Sequence, residues 1–517
     1  MKLALFIIYA VVTLAATVFF ALREYHMLQL NGYKYVEHTR WMRKNYKRYI
    51  YPLILFVLQF IMIPAGANIP VVAGFSLLNL GFIIINKPKK FKKPLVYTAR
   101  VKRMLVTFFI LVAALYATSF FAETIGYILV GSSLYLTPLL VILSNIINRP
   151  IELSIQKWYI NDAKKMLASA PNLHVVGITG SYGKTSMKFY LSELLNSQYN
   201  TLKTPESYNT PMGVVKTVRM QLRPTHEYFV CEMGARRVGE IKELCGIADP
   251  DDGIITSVGP QHLETFNSIE NVVNTKFELA DHIKADGKIY LNGDNELIRK
   301  KAPQYKNAVT YGIQEGNDYR ATDISVSDRG TEFTVTVPGG QSCRYTTKLL
   351  GEHNVQNLLG AIAYCHGRGI QLEKLVMPVK RIAAVPHRLQ LIDTGGDICY
   401  IDDAYNSNPN GCRAALSVLG LFDACKILVT PGMVELGAKQ EELNHEFGKE
   451  AAGVCDFIVL VGKTQTEPIY KGIMETGYPE KQVFVASSLN EALDKVRSYS
   501  SSKKKIVLLE NDLPDNY

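Results

Sequence analysis

The chain has 517 residues, 48% of them hydrophobic, and a formal net charge of +10, a length that accommodates about three folded units. The basic excess is dense ahead of Arg100, in RKNYKR at Arg43–Arg48 and KPKKFKK at Lys87–Lys93, and both runs lie between apolar segments. That placement argues against a nucleic-acid-binding face and marks the runs as topology signals. All eight cysteines occur from Cys231 onward, with no Cys-x-x-Cys and no zinc spacing, which reads as reduced thiols in a cytosolic region.

In chain order, the first element is Leu3–Leu22 (LALFIIYAVVTLAATVFFAL), uncharged and long enough to cross about 30 Å of hydrocarbon as a helix. It lacks a strongly basic start and more apolar spans succeed it, so it is not a signal peptide. Pro52–Pro64 and Pro70–Ile85, joined by PAGANIP, form a helical hairpin, and Leu105–Ala122 with Tyr127–Ile147 forms another, split by Glu123–Gly126. With these five spans the basic stretches Arg23–Arg48 and Lys87–Arg103 fall on one side. The positive-inside rule puts them in the cytoplasm, the N-terminus outside, and the chain after Asn148 in the cytosol. The spans themselves carry no Asp, Glu, Lys or Arg. An anchor or a lipid-docking bundle fits that better than a pump, whose ion pathway needs such groups.

Ile151–Ser169 has helical spacing and links this bundle to the first soluble domain. Short apolar strands at His174–Ile178, Tyr228–Cys231, Gly253–Thr256 and Lys288–Leu291 then alternate with amphipathic stretches, the pattern of an α/β domain with a mostly parallel sheet. Between Tyr319 and Leu349 polar and apolar residues alternate around glycine turns, which predicts an antiparallel insertion. After Arg388 the βα alternation resumes through Lys426–Thr430, Phe457–Val461, Val483–Ala486 and Ile506–Glu510. The expected architecture is therefore a transmembrane α-helical bundle over residues 1–150, a central α/β P-loop domain over 151–385, and a Rossmann-like α/β domain over 386–517.

The stretch VVGITGSYGKTSMKFY, Val175–Tyr190, places a glycine turn between a strand and a helix N-terminus. Such a turn offers backbone N–H groups and the positive helix end to an anion. Lys184 would neutralise β- and γ-phosphates and the Thr185 hydroxyl would ligate Mg²⁺. Gly180, Gly183 and Ser186 complete the candidate nucleotide loop, although the full pattern asks for glycine at position 178, which is Ile178.

The variant Thr179-Gly180-Ser181-Tyr182-Gly183-Lys184-Thr185 resembles the loop of the Mur ligases, ATP-dependent amide-bond-forming enzymes of peptidoglycan synthesis. Further matching stretches come in order: Glu232 in FVCEMGARRVGEI, His262 in TSVGPQHLETF, Lys276 in NVVNTKFELAD, GEHNVQNLLGAIA at Gly351–Ala363, Arg388 in VPHRLQL, and IDDAYNSNP at Ile401–Pro409. The resemblance implies ATP and two Mg²⁺ ions, one on Thr185 and Glu232, the other on His262 and a carbamylated Lys276, with Lys184, Lys276 and His262 in catalytic roles. A carbamate turns the lysine into an anionic ligand and inverts the local charge. Asn354 and Asn357, one helical turn apart, suit an adenine edge, unless Asn354 merely caps its helix. Arg388 would reach the phosphates across a cleft, and Asp402 or Asp403 would accept from the ribose. Tyr405, Asn406 and Asn408 line the same loop, though Asn408-Pro409 can also simply shape a turn.

The implied partners are a muramoyl-peptide acceptor, UDP-linked or lipid-linked, and D-Ala-D-Ala or an amino acid, with membrane lipid and no nucleic acid. The amine component would sit near Thr430–Gly437 of the last domain. Two departures stand out. Ser257 occupies a position where related ligases often have asparagine, so it stays out of the metal site. The apolar bundle also occupies the place of the soluble domain that grips the uridine nucleotide. A polyglutamate-type ligase, an ATP-driven transporter and a silent scaffold are the competing readings.

Overall fold

The N-terminal helices, most of them built around long apolar runs, are α1 (Lys2–Leu30), α2 (Tyr35–Lys44), α3 (Lys47–Ala65), α4 (Ile69–Ile85), α5 (Ala99–Thr118) and α6 (Glu123–Ala168). The computed structural model describes residues 2–65, 68–86, 93–118, 123–206, 208–327, 329–404, 408–434 and 436–512. Within it, α1, α3, α5 and α6 are long and apolar enough to cross a membrane, and α4, at 17 residues, is a shorter apolar helix. Apolar side chains such as Ile7, Phe60 and Ile110 point outward. Small polar groups pair inside, as in Asn79 Nδ2 donating to Thr13 Oγ1 at 2.9 Å and Thr17 against Ser133 at 3.0 Å, the usual close contact between apolar helices.

The bundle differs from the sequence expectation in three ways. First, α1 runs past Leu22 and carries Arg23 and Glu24 on the same helix. Glu24 is fully buried, accepts the Tyr49 hydroxyl at 3.2 Å and lies 3.3 Å from His38 Nε2. Second, His38 belongs to α2, which folds within the basic stretch expected to be a loop because His38 and Trp41 share a buried face. Third, Tyr127–Ile147 and the Ile151–Ala168 part of the expected linker helix are not separate elements but parts of α6, which contains Pro138 and Pro150. Proline removes one backbone donor and its hydrogen bond, a local loss that neighbouring packing outweighs in a helix of 46 residues.

The second unit, from Tyr159 onward, holds two sheets. The first consists of β1 (His174–Thr179), β2 (Thr201–Lys203), β3 (Tyr228–Glu232), β4 (Asp252–Ile255), β5 (Ile289–Asn292), β6 (Ala308–Gly312), β7 (Tyr319–Ser327), β8 (Gly330–Thr336) and β9 (Ser342–Thr347), ordered β2-β3-β1-β4-β5-β6-β7-β8-β9. Successive side chains alternate between its faces. Val176 and Ile178 of β1 and Val230 of β3 join one core, while Val175, Phe229 and Cys231 join the other. Burial on both sides explains why these strands read as continuous apolar runs. The expected antiparallel segment does form β7, β8 and β9, but it is not a separate insertion. β7 pairs in parallel with β6 at Tyr311↔Tyr319, so the meander prolongs the same sheet.

The second sheet consists of β10 (Gln390–Asp393), β11 (Ile398–Asp403), β12 (Cys425–Thr430), β13 (Phe457–Val461), β14 (Val483–Ala486) and β15 (Lys505–Glu510), ordered β10-β11-β15-β12-β13-β14. All its pairings are parallel except β10 with β11. In the first sheet the order reverses beside β1: the chain leaves β1 for β2 and β3 on one side and returns to β4 on the other. The loops after β1 and β4 therefore flank the crevice at the carboxyl ends of the strands, where open α/β sheets bind ligands.

Candidate active site

The chain leaves β1 at Thr179, turns through Gly180–Gly183 and enters α7 (Lys184–Leu195). Gly183 caps this helix with φ +80°, and a Cβ added there would lie 2.8 Å from Asn357 Oδ1. A Cβ at Gly180 would come within 2.2 Å of Thr256 Oγ1 and 2.9 Å of the Ser257 carbonyl. Only glycine meets both demands without strain.

The loop after β4 fixes this turn. Ser181 N–H donates to the Ser257 carbonyl at 2.7 Å, Tyr182 N–H to Ser257 Oγ at 3.2 Å, and the Tyr182 hydroxyl to the Pro260 carbonyl at 3.0 Å. Ser257, which the sequence leaves outside the metal site, is thus a clamp on the glycine turn. Such a role depends on two loops meeting and leaves no local sequence signal.

Lys184 folds over the turn, donating to the carbonyls of Gly180 at 2.8 Å and Ser181 at 3.1 Å. Burial pulls its ammonium down to about 8; Glu232 opposes that shift and Arg388 adds to it. Thr185 Oγ1 donates to Glu232 Oε1 at 3.2 Å. Ser186 is buried. Glu232, at the end of β3, is fully buried, receives Asn209 Nδ2 on Oε1 at 3.0 Å and pairs with Lys188 Nζ on Oε2 at 2.9 Å. Burial pushes its carboxyl up, but the Lys188 and Lys184 ammoniums and the hydrogen bonds outweigh this and hold it below the usual carboxylate range. Neither Lys188 nor Asn209 stands out in the sequence. The spacing from Lys184 to Lys188, one helical turn on the same face, is the available hint for the first.

His262 comes after the β4 loop with φ +53°, and its carbonyl accepts the N–H groups of Thr265 at 3.0 Å and Phe266 at 3.1 Å, starting the short helix Leu263–Phe266. Lys276 lies on the helix Ile269–His282, 2% exposed, with Nζ 5.9 Å from the centre of the Phe266 ring. Burial, then the charge of Lys184, drives it well below the ordinary lysine range. Among the described residues no three His, Cys, Asp or Glu side chains cluster to hold a metal alone. The Thr185 hydroxyl and the Glu232 carboxylate, 3.2 Å apart through Oε1, are hard oxygen donors. That set fits Mg²⁺, which keeps waters and takes one or two carboxylates plus phosphate oxygens.

The helix Glu352–Gly367 separates the two amides expected to act together. Asn354 is 4% exposed; its Oδ1 accepts the Tyr190 hydroxyl at 2.8 Å and its Nδ2 donates to the Leu350 carbonyl at 2.9 Å. Both ends of its amide are thus engaged inside the core, and Gly351 rather than Asn354 caps the helix. Asn357 instead faces the glycine turn at Gly183.

Arg388 sits between His387 and Leu389, both with positive φ, and its charge acts on Lys184, Tyr190 and Asp403 alike. The second domain's arginine therefore lies within electrostatic range of the glycine loop. Asp402 is engaged locally, with Oδ2 2.7 Å from His387 Nδ1 and Oδ1 accepting Ala404 N–H. Asp403 accepts Leu389 N–H at 3.2 Å, and burial lifts its carboxyl to about 6 against the pull of Arg388. Asn408 caps the helix Pro409–Gly420 by accepting Gly411 N–H at 2.9 Å, so Asn408-Pro409 shapes a helix start. Tyr405 and Asn406 lie outside the described residues. In the Thr430–Gly437 stretch, the Gly432 carbonyl accepts Asn511 Nδ2 at 2.6 Å.

The description "Mur ligase middle domain" matches residues 178–365 and "Mur ligase, glutamate ligase domain" matches residues 387–510. The chain is 34% identical over 277 residues to the UDP-N-acetylmuramoyl-tripeptide–D-alanyl-D-alanine ligase of Bacillus subtilis, covering 53% of this chain and 59% of that protein. It is 31% identical over 330 residues to the Escherichia coli protein of the same name, covering 62% and 72%. Among solved structures, MurF from Acinetobacter baumannii superposes with a TM-score of 0.62 at 26% identity, covering 70% of this chain and 78% of that one. MurF ligase from Thermotoga maritima in complex with ADP gives 0.62 at 25% identity, covering 69% and 80%.

Proposed function

The chain belongs to the Mur ligase family, and on that premise we propose that it is a membrane-anchored, ATP- and Mg²⁺-dependent ligase that joins a muramoyl-peptide carboxylate to an amine such as D-Ala-D-Ala. The observation carrying this is the meeting of Lys184 and the Thr185–Glu232 pair at one glycine turn, with Arg388 of the last α/β domain within electrostatic range. The working division is 1–150, 151–385 and 386–517.

Joining a carboxylate to an amine requires a better leaving group than oxide. The acceptor carboxylate attacks the γ-phosphorus of ATP, ADP leaves, and the acyl phosphate is captured by the amine with release of phosphate and a proton. Phosphoryl transfer makes little new covalent demand on the protein, so its work is positioning and charge neutralisation. Lys184 and the start of α7 would cradle the β- and γ-phosphates. Phosphate charge favours the ammonium form of Lys184 and so offsets its burial. Thr185 and Glu232 would hold one Mg²⁺, His262 and Lys276 the other; bound metal supplies neutralisation of the charge spreading over the transferring group. Burial, then the charge of Lys184, disfavours the ammonium form of Lys276, and CO₂ adds only to the neutral amine, so the direction of this shift supports a carbamate there. Gly180, Gly183, Ser186, Asn357, Arg388 and one of Asp402 or Asp403 complete the nucleotide site. Arg388 would meet the phosphates as the cleft closes.

Among the described residues, four long apolar helices and one shorter one support multi-pass insertion, and the basic stretches between them favour α/β domains in the bacterial cytoplasm. Whether the bundle tethers a ligase for UDP-linked precursors or docks a lipid-linked acceptor is decided by supplying both muramoyl peptides with labelled D-Ala-D-Ala. Turnover of the lipid form alone removes the tether reading, and stimulation of ADP release by glutamate in place of D-Ala-D-Ala would make it a polyglutamate-type ligase. Lys184→Met is expected to lower ADP formation by about 10²–10³-fold with membrane insertion intact; unchanged turnover would refute the phosphate assignment.

A further inference from the structure

Lys188 lies one turn of α7 beyond Lys184 and is 2% exposed. Its Nζ stands 2.9 Å from Glu232 Oε2 and also donates to the Glu206 carbonyl. The segment between β2 and α8 (Pro211–Gln221) also holds the end of β3. Thr204 Oγ1 accepts Glu232 N–H at 3.1 Å, Asn209 Nδ2 donates to Glu232 Oε1 at 3.0 Å, and the Asn209 carbonyl accepts Gly234 N–H at 2.8 Å. The carboxylate oxygens are thus divided: Lys188 takes Oε2, while Thr185 and Asn209 face Oε1.

From this division we propose that Lys188 is a positioning residue that fixes Glu232 with Oε1 toward Thr185 and ties that posture to the β2–α8 segment. The proposal rests on the reading of Thr185 and Glu232 as metal donors. A carboxylate can rotate about its last bond, and an ion pair on one oxygen selects one orientation. Removing the cation from a fully buried pair leaves the carboxylate without the partner that justified its burial. An alternative role, in which Lys188 merely occupies the metal's place, makes the opposite prediction, because its loss would then tighten metal binding.

The test uses the full-length protein in detergent, with Mg²⁺ titrated calorimetrically in the presence of ADP. Lys188→Met should bind ADP without metal as the parent does, within about twofold, while half-saturation by Mg²⁺ rises about 10–100-fold, the usual penalty for losing the partner of a metal ligand. Lys188→Arg, which keeps the charge but not its point geometry, should show a smaller rise of the same sign and serves if the methionine variant does not fold. In a Glu232→Gln background Lys188→Met should add nothing, because the effect passes through Glu232. Unchanged or tighter Mg²⁺ half-saturation, or a full additional effect in that background, overturns the proposal. A parent protein whose ADP binding ignores Mg²⁺ would overturn the metal-site reading itself, a distinguishable result.

Discussion

Replacing Gly183 with alanine tests whether the glycine turn is shaped by backbone and packing as described. At φ +80° an alanine pays about 1 kcal/mol for left-handed backbone. Its Cβ would stand 2.8 Å from Asn357 Oδ1, an overlap that forces a shift costing about 1–3 kcal/mol. The expected total is about 2–4 kcal/mol. Because the obstructing atom ends a side chain, Asn357→Ala should relieve the overlap but not the backbone part. The double variant should therefore recover about 1–3 kcal/mol relative to the sum of the single changes. Urea unfolding followed by far-ultraviolet circular dichroism, on all four members of the cycle, reads this directly. Strict additivity would refute the close approach of Asn357, and full stability of Gly183→Ala alone would refute the strained turn.

Asp403 makes a pH prediction of defined sign. Its carboxyl is lifted to about 6 in the fold, above the ordinary aspartate value of about 3.9. The protonated form is thus favoured by folding; its contribution is complete below about pH 4 and lost as pH rises through about 6. Asp403→Asn should stabilise the protein above pH 7 by up to about 3 kcal/mol relative to its effect at pH 4, measured by urea midpoints; a pH-independent difference would exclude a raised carboxyl. For the bundle, a cysteine at Ile69 should react with an impermeant maleimide from outside intact cells and one at Tyr46 only after lysis. Equal labelling of both from outside would refute the proposed orientation.

The parts legible in the sequence are those whose physics is local. A strand, glycines required by backbone geometry and a helix start must lie consecutively, so Gly180, Gly183, Lys184 and Thr185 can be assigned together, and alternating apolar runs mark most strands of both sheets. Apolar length likewise marks the long helices. Where α1 and α6 end is less visible, because the burial of Glu24 depends on neighbouring helices and α6 continues through Pro150, a residue that usually interrupts helices.

Decisions made by the assembled fold concern which distant residues meet. The strand order brings the loops after β1 and β4 together, and only then does Ser257 become a clamp on Tyr182. Asn354 and Asn357 are indistinguishable by spacing, yet the hydroxyl of Tyr190 claims the first and Gly183 faces the second. Lys188 acquires its meaning from a carboxylate 44 positions away. The chain's order thus determined the glycine turn, the lysine and hydroxyl that follow it, and the apolar helices, because each arises from near neighbours. Tertiary structure alone decided the partners of Glu232, the pairing of Asn354 and the raised carboxyl of Asp403, because burial and charge at those atoms are set by segments far apart in the chain.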